Sequence, residues 1–409
     1  MFSRKLPGAP YAAGIEAGPA PTRGDPAPHL PAGASRLLAV ACLLALLAMS
    51  AAELHRWFRA PAKSTAVAAI AAAAGGVTLT TLSSTLIPMP AGVPSAHASA
   101  LASLPGERMM AFWWAGSRES GPDVKVYAAR WSAGIWGPPR EIASRDSLAA
   151  ALGFGVRRIG NPVAWTARDG KINLYVVVTG LGGWAASRVV HLVSSDAGER
   201  FDVRRVLPMS PMFNTSVLVR TSPVAHPDGG WWLPAYFELG IKYPIFMAFD
   251  DAGNPRSLTR IGTRTTSLQP ALVPVSAFEA HAWMRDSGPE RRVQQAFSRD
   301  GGASWEDLPA LDIANHSSSL AAQQLSKGGF LLLHNHVGAG GSDRNVLRLS
   351  ISKDARAWEH LFDVASGGPG EEFSYPTLQQ LGNELHVTYT SRRTAIAHHV
   401  YQISYGRGS

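Results

Sequence analysis

An eight-residue turn recurs along this chain, and its spacing constrains the fold more than any other feature. Ser298-Arg299-Asp300-Gly301-Gly302-Ala303-Ser304-Trp305 fits the pattern S-x-D-x-G-x-x-W in full. Ser194 to Phe201 fits with Phe for Trp, and Ser352 to Trp358 is a shortened copy. Asp251-Ala252-Gly253 is a fragment, and Ser132-Ala133-Gly134-Ile135-Trp136 a weaker one. Successive turns lie 49 to 64 residues apart, close to the ~40–50 residues of a four-stranded propeller blade. The physics of the turn is local. The Asp carboxylate accepts from backbone N–H groups ahead of it, Gly takes the positive-φ position, and the aromatic folds back to pack between strands. Asp300 and Asp196 are therefore structural residues and not catalytic candidates.

Between the turns, Lys171 to Gly180, Trp231 to Leu239, Gly329 to Val337 and Glu384 to Ser391 alternate apolar and polar residues and are bounded by Gly, Asp or Asn, the signature of strands. No amphipathic helix stands out beyond about His97. The 40 Gly, 29 Pro and 12 Trp suit many short strands joined by tight turns. Five turns, with C-terminal strands able to pair with the first strand near His97, predict an all-β, six-bladed propeller over residues 95–409.

The amino-terminal region has a different character. Residues 1–35 are rich in Pro, Gly and Ala and read as a disordered tail. Leu37 to Leu54 is a nearly unbroken apolar run approaching the ~20 residues that span a bilayer core, so 36–54 reads as a transmembrane helix. A cleaved signal peptide is the rival reading, but such signals normally begin near the N-terminus. Residues 55–94 read as a linker, with Thr65 to Met89 a possible second hydrophobic segment. One span places the remainder in the periplasm or outside the cell; two would return it to the cytoplasm.

The formal charge is +8, yet there is no dense Lys/Arg run, which argues against nucleic acid. The one cysteine, Cys42, excludes a disulfide within the chain and a Cys-based metal site. His334 and His336 alternate as H-x-H on one strand, but no third zinc ligand is evident. No metal or organic cofactor is expected, and a monomer is.

The turns match the Asp-box (BNR) repeats of sialidases. The chain resembles the sialidase superfamily from about 97 to 403, and is most similar to its predicted bacterial neuraminidases. The segments carrying the resemblance are AFWWAGSRESGPDVKVY (111–127), GNPVAW (160–165), SLQPALV (267–273), DRNVLRLSIS (343–352) and FSYPTLQQLGNELHVTYTSRR (373–393). The resemblance implies roles residue by residue. Arg118 and Asp123 match the spacing of a supporting arginine and the acid/base aspartate. Tyr375 matches the tyrosine nucleophile. Arg285 and Arg344 match two of the three arginines that clamp the substrate carboxylate.

Two positions depart from the pattern. His97 stands where the first clamp arginine is expected, and becomes a candidate acid/base. Gln269 stands where the glutamate that activates the tyrosine is expected, and an amide cannot act as a base. Glu238 and Glu372 are the candidate substitutes. Arg392 and Arg393 are expected near the outer strands of the last blade, and Asn161 and Asn315 at the mouth. The implied function is exo-acting removal of an acidic terminal sugar from a glycan. The alternatives are a non-catalytic glycan-binding propeller, and a lyase or hydrolase acting on a different acidic polysaccharide.

Overall fold

The computed structural model describes residues 32–58, 76–106, 108–210, 213–337 and 344–406. Six antiparallel sheets follow one another along the described chain. In the first five the first strand lies innermost, and in the sixth it is Phe373–Leu381; these inner strands lie against one another in a ring. The inner strands are Ser95–Leu104 in blade 1, Arg158–Thr166 in blade 2, Ser267–Pro274 in blade 4, Ala321–Gln324 in blade 5 and Phe373–Leu381 in blade 6. Blade 3 differs. Its inner strand is broken into Val217–Leu218 and Val224–Ala225, both paired with Trp231–Leu239.

Ring closure corrects the expected boundary. Val77–Leu86, read as linker, is a strand antiparallel to Ala395–Tyr405, with Val77 opposite Tyr405 and Leu86 opposite Ala397. The sixth blade is therefore completed from the amino-terminal side, and the propeller begins at 77, not 95. The strand near His97, expected to receive the C-terminal strands, is instead the inner strand of blade 1. The sequence VTLTTLSSTL alternates β-branched and hydroxyl residues with leucine, as suits an outer strand with one wet face.

The core is divided by the blades. Six buried apolar clusters lie between adjacent blades. The recurring turns feed these seams. Trp305 of blade 4 reaches Trp232 and Phe246 of blade 3, with ring centroids at 6.3 and 6.1 Å. Phe201 meets Phe112 edge-on at 5.6 Å, and Trp358 meets Trp283 at 5.3 Å. The aromatic thus packs against the preceding blade rather than within its own. The Asp is local, as expected: Asp300 Oδ1 accepts from Ser304 N at 2.9 Å and Ser298 Oγ at 2.9 Å. In the blade 3 turn that role falls to Asp250, which accepts from Asn254 N at 2.7 Å, and not to Asp251.

Among the described residues two α-helices accompany the sheets. Arg145–Leu152 (α2), unforeseen, is eight residues long, too short for a periodicity signal. Its punctuation was present: a capping box joins Ser144 and Ser147, and Gly153 ends it at φ 72°. Ala32–Phe58 (α1) covers the expected anchor and begins inside the expected tail. Leu37, Leu43, Leu44 and Leu47 on it are exposed. Among the described residues, however, no helix is long and apolar enough to cross a membrane. The rest of the tail and residues 59–75 lie outside the described residues.

Candidate functional site

The inner strands of blades 1, 2, 4 and 6 each carry a bulge close to their first residues, at His97/Ala100, Ile159/Pro162, Leu268/Ala271 and Ser374/Thr377. Ala98, Gln269 and Tyr375 take φ of 58°, 49° and 54° there, and Ser317, just before the blade 5 strand, takes 58°. Left-handed backbone at bulky residues is costly and persists where surrounding structure enforces it. The bulges gather the site residues at one end of the ring. Further along the same strands the channel holds a cavity of about 400 Å³ lined by neutral groups such as Ser103, Thr166 and Gln324. No titratable side chain lines that cavity.

At the floor, the Tyr375 ring lies 4.1 Å from the His97 ring, centroid to centroid. His97 is buried, leans on Trp114 and has no hydrogen-bond partner at either ring nitrogen. Burial, then the fields of Arg393, Arg220 and Arg344, hold its pKa well below the ordinary histidine value, so it is neutral at neutral pH.

Beneath Tyr375 lies Arg220, which sequence reasoning missed. Its guanidinium sits 4.9 Å from the Tyr375 ring centroid. Its Nη2 donates to Pro376 O at 2.9 Å and its Nη1 to Ser99 O at 3.4 Å, while Nε has no partner. It is 1% exposed and no carboxylate meets it among the described residues. Burial lowers its pKa to about 10, which leaves it a cation at neutral pH. On the other side, Gln269 Nε2 donates to Tyr236 Oη at 3.3 Å, and burial pushes the Tyr236 phenol well up.

Above the floor an ionic chain crosses four blades. Arg285, from blade 4, donates from Nε and Nη2 to Ser317 Oγ at 3.1 and 3.0 Å. Arg344, from blade 5, donates from Nη2 to Ser317 O at 2.9 Å and from Nη1 to Glu372 Oε1 at 3.3 Å. Glu372 also accepts from Ser374 Oγ at 2.6 Å and Arg393 Nε at 2.7 Å. Arg393 then reaches Glu119 of blade 1 at 2.5 Å. Burial acts to raise the Glu372 pKa, but Arg393, Ser374 and Arg344 together hold it low. Arg285 alone in this chain is paired with no carboxylate among the described residues.

Several expectations change. Glu372 is committed to two arginines and a serine, so it orients cations rather than serving Tyr375 as a base. Glu238 is ion-paired with Lys242 at 3.0 Å and half exposed. Arg393 lies at the mouth and not by the outer strands, on the tight turn Ser391–Thr394 of blade 6. Asp123 and Arg118 lie on the exposed loop after the second strand of blade 1. Asp123 accepts from Ser117 Oγ and Ser117 N, both at 2.7 Å, and the Ser117 hydroxyl is the main cause of its lowered pKa. Asn161 donates to Val219 O, and buried Asn315 braces Ser318 and Asp286. His334 is occupied by Ser350 Oγ and Asn335 O.

A six-bladed ring with these turns matches a family model described as a BNR repeat-like domain over residues 107–387. The chain belongs to the BNR repeat-like family. No curated protein matches it. Among solved structures, this BNR propeller is similar to a protein of unknown function from Dyadobacter fermentans, at 15% identity and a TM-score of 0.64, covering 80% of this chain and all of that one. It is also similar to the Hadza microbial sialidase Hz136, at 14% identity and a TM-score of 0.60, covering 76% of this chain and 66% of that one. Trypanosoma rangeli sialidase in complex with sialic acid matches at 14% identity and a TM-score of 0.58, covering 82% of this chain and 60% of that one. The BNR propeller thus spans less than two thirds of those sialidases, and at such identities the likeness establishes a shared sialidase-like fold.

Proposed function

We propose that the mouth of this BNR propeller binds the carboxylate of a terminal acidic sugar and that the chain hydrolyses its glycosidic bond. The observation that carries the reading is the meeting of Arg285 and Arg344 on Ser317, with Arg285 free of any carboxylate partner among the described residues. A planar oxyanion is the ligand such a pair of guanidinium forks suits. Tyr375 attacks the anomeric carbon, a recognised departure from two-carboxylate glycosidases. With Glu372 occupied and Gln269 unable to act as a base, neutral His97, ring to ring with Tyr375, is the group left to accept the phenol proton, after a shift that brings one of its unpartnered nitrogens to the hydroxyl. Arg220 favours the developing phenolate. Asp123 protonates the leaving oxygen.

A second reading is favoured by one observation. The Asp123 carboxyl is held below its ordinary range by Ser117, the reverse of what a proton donor needs. On that reading the propeller binds an acidic glycan without turnover. The test offers chromogenic sialosides and uronosides to the full chain beside its Asp123→Asn and Tyr375→Phe variants. Turnover lost in both variants supports hydrolysis. Binding of an acidic sugar without release of chromophore establishes the second reading.

Placement outside the cytoplasm, with the exposed leucines of α1 holding the chain to a membrane that no described helix is long and apolar enough to cross, belongs to the same proposal. Recovery of the full chain in the soluble fraction after cell lysis, without detergent, would remove the anchor.

A further inference from the structure

The mouth region holds a second group of cations that the proposed reaction leaves unused. Arg118, Arg145, Arg157 and Arg158 line one cavity of about 490 Å³ between blades 1 and 2. The remaining wall is Ser120, Pro122 and the glycines of residues 180–183, with no acidic or aromatic side chain. Arg145 Nη1 donates to Arg157 O at 3.4 Å, a contact that brings two of these residues together without neutralising either. Several other arginines of the propeller are paired, among them Arg130 with Glu199, Arg256 with Asp228, Arg264 with Asp307 and Arg348 with Asp363. Among the described residues no carboxylate pairs with any of the four, although Asp123 is close enough for Arg118 to lower its pKa slightly. Like charges converging on a concave surface make a field that draws and holds anions.

Position ties this cavity to the candidate site. Arg118, Ser120 and Pro122 belong to the loop that carries Asp123. The same loop is tied by Glu119 to Arg393, and through it to Glu372 and Arg344. The loop that carries the proposed proton donor therefore joins this cavity to the candidate site.

We propose that the four-arginine cavity is a second anion subsite, taking the carboxylate or sulfate of the sugar that precedes the terminal one. The substrate is then a polyanionic glycan and not an isolated acidic sugar on a neutral chain. This deepens the glycosidase reading and rests on it. Guanidinium forks suit carboxylate and sulfate alike. A wall without aromatic rings disfavours a single-stranded nucleic acid, whose bases need stacking surfaces.

Calorimetric titration of the full chain tests this with two probes, a monosaccharide sialic-acid glycal and an α2,8-linked sialic acid trimer, repeated with a sulfated uronic tetrasaccharide. The variant is Arg157→Gln with Arg158→Gln. Both side chains are exposed, and neither takes part in the proposed reaction. The oligosaccharides are expected to bind the parent protein on the order of tenfold more tightly than the monosaccharide, a gain lost in the double variant. Monosaccharide affinity is expected to stay unchanged. Oligosaccharide binding that survives the double substitution overturns the proposal, as does short single-stranded DNA or inorganic sulfate binding as tightly as the oligosaccharides. Failure of the monosaccharide alone, with arginine-dependent binding of the oligosaccharides, refutes the terminal-sugar site and leaves the subsite standing.

Discussion

Arg220 is the residue on which the charge balance of the floor turns. Its burial without a carboxylate is unusual, because a buried charge is ordinarily paired. Its direct contacts are two carbonyls and the face of Tyr375, with Tyr236 and His97 within reach of its field. Removing a buried charge that has no carboxylate partner relieves a desolvation cost larger than that of leaving the Ser99 and Pro376 carbonyls without a donor. Arg220→Met is therefore expected to keep or raise the melting temperature while weakening binding of an acidic sugar on the order of tenfold, since the local cation is gone. Unchanged affinity by calorimetry would show that Arg220 serves packing alone. Arg344 and Tyr375 were legible in the sequence because each sits in a segment that carries the resemblance, Arg285 because it precedes the full Asp-box turn, and His97 because it stands where the first clamp arginine is expected. Arg220 was not, because the inner strand of blade 3 is broken at this point and no repeat marks its register. The role given to Glu372 failed for a different reason. Nearness in sequence to Tyr375 said nothing of Arg344 and Arg393, which reach Glu372 from other segments.

At the level of elements, the hairpin Ser391–Thr394 shows strain placed beside the site. Thr394 N donates to Ser391 O at 3.1 Å, and Arg392 and Arg393 both take positive φ, 52° and 59°. Such a turn favours Asn and Gly, and a left-handed side chain costs about 1 kcal/mol. Arg392 points to Glu371, whereas Arg393 bridges Glu372 and Glu119. Arg392→Gly is expected to leave stability level or raise it by up to about 1 kcal/mol in urea unfolding. Arg393→Gly relieves the same strain but leaves Glu372 and Glu119 short of a cation. Its expected outcome is a net loss of about 1–3 kcal/mol. Equal midpoints for the two variants would mean that the bridge contributes nothing. The strand Val77–Leu86 was read as linker because the alanine-rich stretch before it hid the alternation of threonine and leucine. A fragment starting at 95 lacks this strand and exposes the edge of Ala395–Tyr405.

The whole molecule carries a pH dependence through its seams. Trp136 Nε1 donates to His398 Nδ1 at 3.1 Å, so that nitrogen bears no proton. His398 Nε2 then donates to His386 Nδ1 at 3.1 Å, which fixes both rings as neutral where blade 6 meets blade 1. Burial lowers the His386 pKa to about 4, and likewise those of His281 and His334. His398 and His191 are lowered further, to about 3. For a group whose folded pKa is depressed, the unfolded chain binds the extra proton first. Stability is therefore full above about pH 6.5 and falls as pH drops toward 4, each such histidine costing about 1.4 kcal/mol for every pH step of one across that window. The melting temperature is expected to decline steadily across pH 6.5 to 4, and His398→Gln to flatten part of that decline. A profile level over this range would show that the seams tolerate charged imidazoles.

The ring is sealed by two segments more than three hundred residues apart in the chain. Val77 pairs with Tyr405, so the strand that finishes blade 6 leaves the ribosome early and finds its partner only after more than three hundred further residues. At ~5–20 residues per second, that is a wait of roughly 15–60 s with a bare edge. Its threonines and serines keep it hydrated through the interval. Until Ala395–Tyr405 emerges, the nascent chain is an open arc whose first and last faces have yet to meet.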